Sequence, residues 1–153
     1  VSTVDTPGYA YDIAIMGNYA YVADYASGLA VIDISNPLAP YCVTSVSTPS
    51  RAWDVAVTDF FAYVADEESG LQVFALYNPA APFILGAVDT PGIAIGVAVS
   101  GYYAYVADAN ADLVVVDVAN PVSPHIVRTV DGGGGGEQVL RARESGEDDR
   151  GCD

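Results

Sequence analysis

The sequence predicts an all-β chain made of three four-stranded antiparallel units set side by side. Three observations predict it: a gapless repeat of 42 residues, turn signals that cut each repeat into short strands, and strands apolar on both faces. Residues 5–46, 47–88 and 89–130 align without insertion, and 15 of the 42 columns are identical in all three copies. A fixed period of that size indicates a solenoid, a propeller or a similar array.

Within the first unit, residues 11–16 alternate weakly as a strand and Gly17-Asn18 supplies a tight turn. Residues 19–24 form the second strand, and Ser27-Gly28 turns the chain into a third at 29–34. Asn36, Pro37 and Pro40 cannot continue a strand, because proline fixes φ and removes a donor. Residues 41–46 are the fourth strand, and Thr6-Pro7-Gly8 or its equivalent leads into each unit. No amphipathic helical window of useful length survives between these signals. Four short strands in about 42 residues is the size of a β-propeller blade. Residues 113–118, Leu-Val-Val-Val-Asp-Val, are apolar on both faces, as a sheet wedged between two others requires. The expected architecture is therefore an incomplete β-propeller of three blades over 1–131, with a Gly-rich, charged tail at 132–153 that reads as disordered.

The segments Leu-Ala-Val-Ile-Asp at 29–33, Leu-Gln-Val-Phe-Ala at 71–75 and Leu-Val-Val-Val-Asp at 113–117 resemble the core of the LVIVD repeat. The Asn-Pro that follows each, and the recurring Tyr-Val-Ala-Asp, are similar to that family's pattern. The sequence departs from it at Ala75, which replaces the Asp, at Ser50, which replaces a loop glycine, and at Asp112, which replaces the turn glycine. The resemblance implies a β-propeller in a secreted or cell-surface protein of a prokaryote, and it carries over no catalytic residue.

Three blades are fewer than the roughly four to eight of a closed propeller. Residues 1–4 align with 43–46, the end of a fourth strand. The expectation is an arc with two apolar flanks, covered by further blades of a longer chain or by self-association.

Composition excludes several functions. Twenty acidic residues stand against five basic ones, none of them lysine, for a net charge of -15. Binding to nucleic acid needs clustered Lys and Arg, so none is expected. No apolar run reaches the roughly 20 residues of a membrane-spanning helix.

Propeller geometry places residues 6–10, 48–52 and 90–94 on one rim, beside the turns at 24–28, 66–70 and 108–112. Asp12, Asp24, Asp54, Asp66, Glu67, Glu68 and Asp108 are expected to gather toward that mouth; Gly96 stands where the first two blades have Asp. One reading of Asp12, Asp24, Asp54, Asp66 and Asp108 is a site for a hard cation such as Ca2+. The other is that each bonds backbone amides of its own turn. Tyr9, Tyr11, Arg51 and Trp53 are the candidate ligand-binding rim, suited to a sugar or a peptide; Tyr103 also lies near a loop. Catalysis has little basis: His125 is the sole histidine and shares a column with Tyr41 and Phe83. Cys42 shares a column with Ile84 and Ile126 and reads as a small buried hydrophobe, while Cys152 lies in the tail. No zinc spacing, Ser-His-Asp set or phosphate loop can be assembled, so no cofactor other than Ca2+ is called for. The expected role is a noncatalytic binding or interaction scaffold with a protein or carbohydrate ligand. The alternatives are an enzyme using carboxylates at the channel mouth, hydrolase- or lyase-like, or a purely structural segment of a larger surface protein.

Overall fold

The computed structural model describes residues 1–131; the tail expectation at 132–153 lies outside the described residues. Blade 1 comprises β1 (Asp12–Met16), β2 (Tyr19–Ala23), β3 (Leu29–Asp33) and β4 (Tyr41–Val46). Blade 2 comprises β5 (Asp54–Val57), β6 (Phe61–Ala65), β7 (Leu71–Ala75) and β8 (Phe83–Val88). Blade 3 comprises β9 (Ala94–Ser100), β10 (Tyr103–Asp108), β11 (Asp112–Asp117) and β12 (His125–Val130). Each blade is an antiparallel meander in chain order, as expected from connections too short for any crossover.

The turns follow from their residues. Met16 pairs with Tyr19, so Gly17 and Asn18 alone close the first hairpin, and Gly17 takes φ +59. The second turn is closed by Asp24 N–H donating to the Gly28 carbonyl at 2.8 Å and Gly28 N–H donating to the Tyr25 carbonyl at 3.1 Å. Gly28 sits at φ +80 against the Val46 carbonyl, where a Cβ would overlap backbone. In the third connection the side-chain oxygens of Asn36, Asn78 and Asn120 each accept from the amide two residues on, which fixes the Asn-Pro loop. The pairing of β3 with β4 slips by one residue at Val31/Ile32, and blades 2 and 3 slip at the matching positions.

The departure at Ala75 also has a local cause. Asp33 accepts from the Tyr41 hydroxyl at 3.1 Å across the β3–β4 pair, and Asp117 faces His125 at 4.0 Å. In blade 2 the same cross-strand pair is Ala75 with Phe83, so an apolar residue has replaced each partner.

The inner strands β1, β5 and β9 lie next to one another, and the sheets meet face to face outward from them. Between blades 1 and 2, Tyr21, Ala23, Leu29 and Val31 meet Val55, Ala62, Val64, Phe74 and Leu76. Between blades 2 and 3, Tyr63, Ala65, Leu71 and Val73 meet Ala94, Ala104, Val106, Val114 and Val116. The same repeat columns build both joints, which is why β7 is buried along its whole length. Each fully buried Val, Leu or Phe contributes about 1.5–3 kcal/mol. Phe74 is the largest side chain that blade 2 buries completely, so Phe74→Ala is expected to cost about 3–5 kcal/mol, measured by chemical denaturation.

Candidate functional site

The carboxylates expected at a common mouth separate into distinct places. Asp24 ends the buried run of β2, and its side chain turns back to the loop that enters its own blade. Thr6 Oγ1 donates to Asp24 Oδ1 at 2.6 Å and Gly8 N–H donates to Oδ2 at 2.8 Å. Ser50 N–H donates likewise to Asp66 at 3.0 Å, and Gly92 N–H to Asp108 at 3.0 Å. Asp108 also accepts from the amides of Asn110 and Ala111. All three residues are buried. Of the two readings of Asp24, Asp66 and Asp108, these contacts match bonding to backbone amides: each is an enclosed tie to the loop that enters its blade.

The ties are not equivalent. In blade 1 the Thr6 hydroxyl completes the tie, whereas the matching Thr48 and Thr90 hydroxyls are buried without a hydrogen-bond partner. Burial raises the Asp66 pKa, the nearby Thr48 hydroxyl and Ser50 amide offset part of this, and the Glu67 charge adds to the rise. For Asp108 burial also acts upward, but Thr90 and three backbone amides outweigh it and the pKa is lowered.

Asp12 and Asp54 do come together, at the hub. Asp12 accepts from the amide of Val55 at 3.2 Å, and Asp54 from the amide of Val97 at 2.7 Å. Each inner-strand Asp therefore ties its blade to the next, and Gly96 leaves blade 3 without the equivalent side chain. The two carboxyl groups also hydrogen-bond one another. Burial pushes the Asp54 pKa up to about 6, helped by the bond to Asp12 and its charge, while the Val97 and Val55 amides act against it. Burial acts upward on Asp12 too, but its bonds from Asp54, Val55 and Ile13 prevail and lower it. The two carboxyls therefore titrate as a pair whose values are pushed apart, Asp54 upward and Asp12 downward. Among the described residues, no group of three His, Cys, Asp or Glu side chains converges to hold a metal ion.

The candidate rim residues gather at the outer mouth of the joint between blades 1 and 2. Tyr11 and Trp53 have ring centroids 4.6 Å apart. Tyr25, which sequence reasoning passed over, sits at the centre: 5.3 Å from Tyr11, 5.4 Å from Trp53 and 6.3 Å from Tyr9. Tyr25 takes φ +51, unusual for a bulky side chain, and is held there by two backbone hydrogen bonds with Ala52 of the next blade. Its only sequence signal is its place between Asp24 and the turn glycine. The Arg51 guanidinium lies 5.3 Å from the Tyr25 ring centroid and 3.2 Å from Glu67 Oε1. That exposed ion pair contributes about 0–1 kcal/mol. Beside it lies an open concavity of about 420 Å3, lined by Ala26, Pro49, Ser50, Arg51, Glu67 and Glu68. Tyr9 and Tyr11 remain 74% and 52% exposed. Tyr103 is not part of this cluster; it lies on β10, in blade 3.

His125 is on an outer strand with its side chain exposed, and its Nε2 lies 4.0 Å from Asp117. Cys42 is a free thiol packed against the apolar cluster of blade 1. Among the described residues, no helix is long and apolar enough to cross a membrane.

Three four-stranded blades fanned about a hub, with a rim made by their connecting loops, define a β-propeller segment. The chain belongs to the LVIVD repeat family: the model of that repeat matches residues 7–48, 49–90 and 91–132, the same period framed two residues later. A functionally unknown protein from Desulfotomaculum acetoxidans superposes with a TM-score of 0.74 at 19% identity, covering 86% of this chain and 45% of that one. The computationally designed Ika4 protein superposes with a TM-score of 0.68 at 13% identity, covering 86% of this chain and 79% of that one. The β-propeller domain of Cps50 (Swd1) from Myceliophteria thermophila gives 0.64 at 11% identity, covering 82% of this chain and 41% of that one. At these identities the likeness is one of fold, and the chain spans less than half the length of two of the three. The comparison with curated proteins found no match.

The hub pair has a consequence for stability. A carboxyl with a folded-state pKa of about 6 binds its proton more tightly than in the unfolded chain, where the value is 3.8. Its contribution is therefore full below about pH 4 and is lost as pH rises through 6. Asp12 acts oppositely, but only at and below its lower range. The melting midpoint should rise as pH falls from 7 to 5, and Asp54→Asn, which keeps an acceptor for Val97, should flatten that slope in thermal melts at fixed ionic strength.

Proposed function

We propose that this propeller segment is a noncatalytic binding scaffold, presented outside the cell, that takes a carbohydrate or peptide ligand at the rim between blades 1 and 2. The observation that carries this reading is the continuous aromatic cluster of Tyr9, Tyr11, Tyr25 and Trp53, with two of its rings well exposed, beside a concavity lined by Arg51, Glu67 and Glu68. Aromatic faces stack on the apolar face of a sugar ring or on a side chain, and flanking charged groups then hydrogen-bond to hydroxyls or amides. The columns that supply the rim differ between blades: Tyr9, Arg51 and Ile93, then Tyr11, Trp53 and Ile95. A scaffold that needs identical residues in its joints is free to vary there. The extracellular setting is supported by the family resemblance and by an acidic, lysine-free composition.

The enzyme reading has one supporting feature, the neighbouring carboxyls of Asp12 and Asp54, the second raised to about 6 by burial. Against it, both carboxylates are occupied by amides of the following blade, which a structural tie explains without a substrate.

Trp53 is the only tryptophan in the chain, so emission excited selectively at tryptophan reports on the rim. Titration with oligosaccharides and with peptides is expected to shift that emission for one of the two classes. Tyr11→Ala and Tyr25→Ala should each weaken binding about tenfold, the loss of one stacking contact of about 1.5 kcal/mol. Binding unchanged in both variants would remove the rim from the proposal. Ca2+ added during thermal melts tests the cation alternative, for which an upward shift in midpoint is the required sign.

A further inference from the structure

The charges at the rim between blades 1 and 2 are not required by the repeat. The turn columns that hold Tyr25 and Ala26 in blade 1, and Ala109 and Asn110 in blade 3, hold Glu67 and Glu68 in blade 2. Arg51 stands where the other blades have Tyr9 and Ile93. The other blades close these columns with uncharged residues, so packing alone does not call for three charges here. Every wall of the concavity belongs to this one joint: Ala26 from the turn of blade 1, residues 49–51 from the loop entering blade 2, and Glu67 and Glu68 from its turn.

Arg51 shows what the site accepts. Its guanidinium lies 5.3 Å from the Tyr25 ring centroid and reaches Glu67 through one nitrogen, Nη1, at 3.2 and 3.4 Å from the two carboxylate oxygens. That hold is loose, because a guanidinium that faces a carboxylate squarely uses two nitrogens in parallel bonds. The Arg51 side chain is also 52% exposed, so water competes for it. Glu68 is exposed in the same concavity, and among the described residues its carboxylate makes no hydrogen bond or ion pair. Two carboxylates thus stand against one guanidinium, on a chain of net charge -15. An anion is repelled from such a place, and a neutral sugar leaves the second carboxylate without a charge partner. A cation answers both carboxylates, and the Tyr25 ring offers it a face.

We propose that this rim binds an arginine side chain of a partner peptide, and that Arg51 is the tethered group it displaces. The inference rests on the reading of the rim as a ligand site and narrows the ligand to a basic peptide. The incoming guanidinium lies over the Tyr25 ring and faces Glu67, with Glu68 as a further acceptor, while Arg51 swings into solvent. The two guanidinium groups carry the same charge and seek the same partners, so Arg51 weakens the binding of the ligand whose place it keeps. Removing Arg51 therefore strengthens binding of a cationic peptide, whereas a ligand held by Arg51 itself is weakened by the same change.

Isothermal titration calorimetry on the 153-residue chain, at about 20 mM salt to limit screening, tests it. The probes are an end-capped pentapeptide of alternating glycine and arginine, and the same peptide with citrulline, an uncharged urea of matching shape, in place of arginine. The arginine peptide is expected to bind about tenfold more tightly than the citrulline peptide. Arg51→Ala should tighten the arginine peptide about fivefold, and Glu68→Gln should weaken it about fivefold. Both side chains are at the surface, so the fold is retained. Asp59→Asn, in the exposed β5–β6 turn at the other end of blade 2, removes the same charge and should change nothing. Equal losses in Glu68→Gln and Asp59→Asn overturn the inference, since they mean diffuse attraction to an acidic chain. Weaker binding in Arg51→Ala, or equal binding of the two peptides, overturns it and leaves a rim for neutral ligands. An arginine peptide that does not bind also overturns it, and the rim reading is then decided separately by Trp53 emission with oligosaccharides and uncharged peptides.

Discussion

Everything in this molecule depends on the joint between blades. A four-stranded sheet of some 35 residues cannot bury enough apolar surface by itself, because one face or the other always meets water. Stacked between neighbours, both faces become interior, and strands such as Leu71–Ala75 can be buried at every position. The turns are subordinate to that demand. Gly28 and Gly70 are needed because the chain must leave one strand and clear the backbone entering the next blade, and a side chain there would strike a carbonyl. Tyr25 and Glu67 accept a positive φ because a pair of backbone hydrogen bonds to the next blade holds them.

Aspartate illustrates how one side chain serves different ends in one fold. Asp24, Asp66 and Asp108 are taken out of water and each accepts from a loop amide 16 residues away, although one Asp66 oxygen stays unpaired. Asp12 and Asp54 tie positions 43 residues apart, one in each of two neighbouring blades, and burial with the neighbouring Asp12 raises the Asp54 pKa. Glu67 and Glu68 stay at the surface and shape the concavity beside Arg51. The acidity of the chain is thus partly structural, and counting carboxylates overstates how many are free to meet a ligand.

The rim is assembled from two blades, and this decides its chemistry. Tyr9, Tyr11 and Tyr25 come from blade 1, Arg51 and Trp53 from the loop entering blade 2. The Tyr25–Ala52 backbone hydrogen bonds join the two loops, so the packing of the blades itself sets the arrangement of the rings. The matching rim between blades 2 and 3 has Ile93 and Ile95 in place of Arg51 and Trp53, and Glu67 in place of Tyr25, so the same scaffold presents a different surface one step around.

The repeat, the strands, the turns and the blade class were legible in the sequence, because each is set by local periodicity or by residues such as Gly17, Asn36 and Pro37 whose conformational limits act within a few positions. That Tyr9, Tyr11, Arg51 and Trp53 lie at one loop-lined edge was legible too, since loops between strands can be counted. Tyr25 was not, because its role comes from a strained backbone held by Ala52 in another blade. Nor was the fate of the carboxylates: sequence placed five aspartates near one mouth, and only the tertiary structure decided that three are enclosed by their own loops and two are joined across the hub. The physical reason is separation along the chain. Hydrophobic period and turn chemistry are encoded locally, whereas burial, the pairing of carboxyls and ring stacking depend on which distant segments the blade-to-blade packing brings into contact.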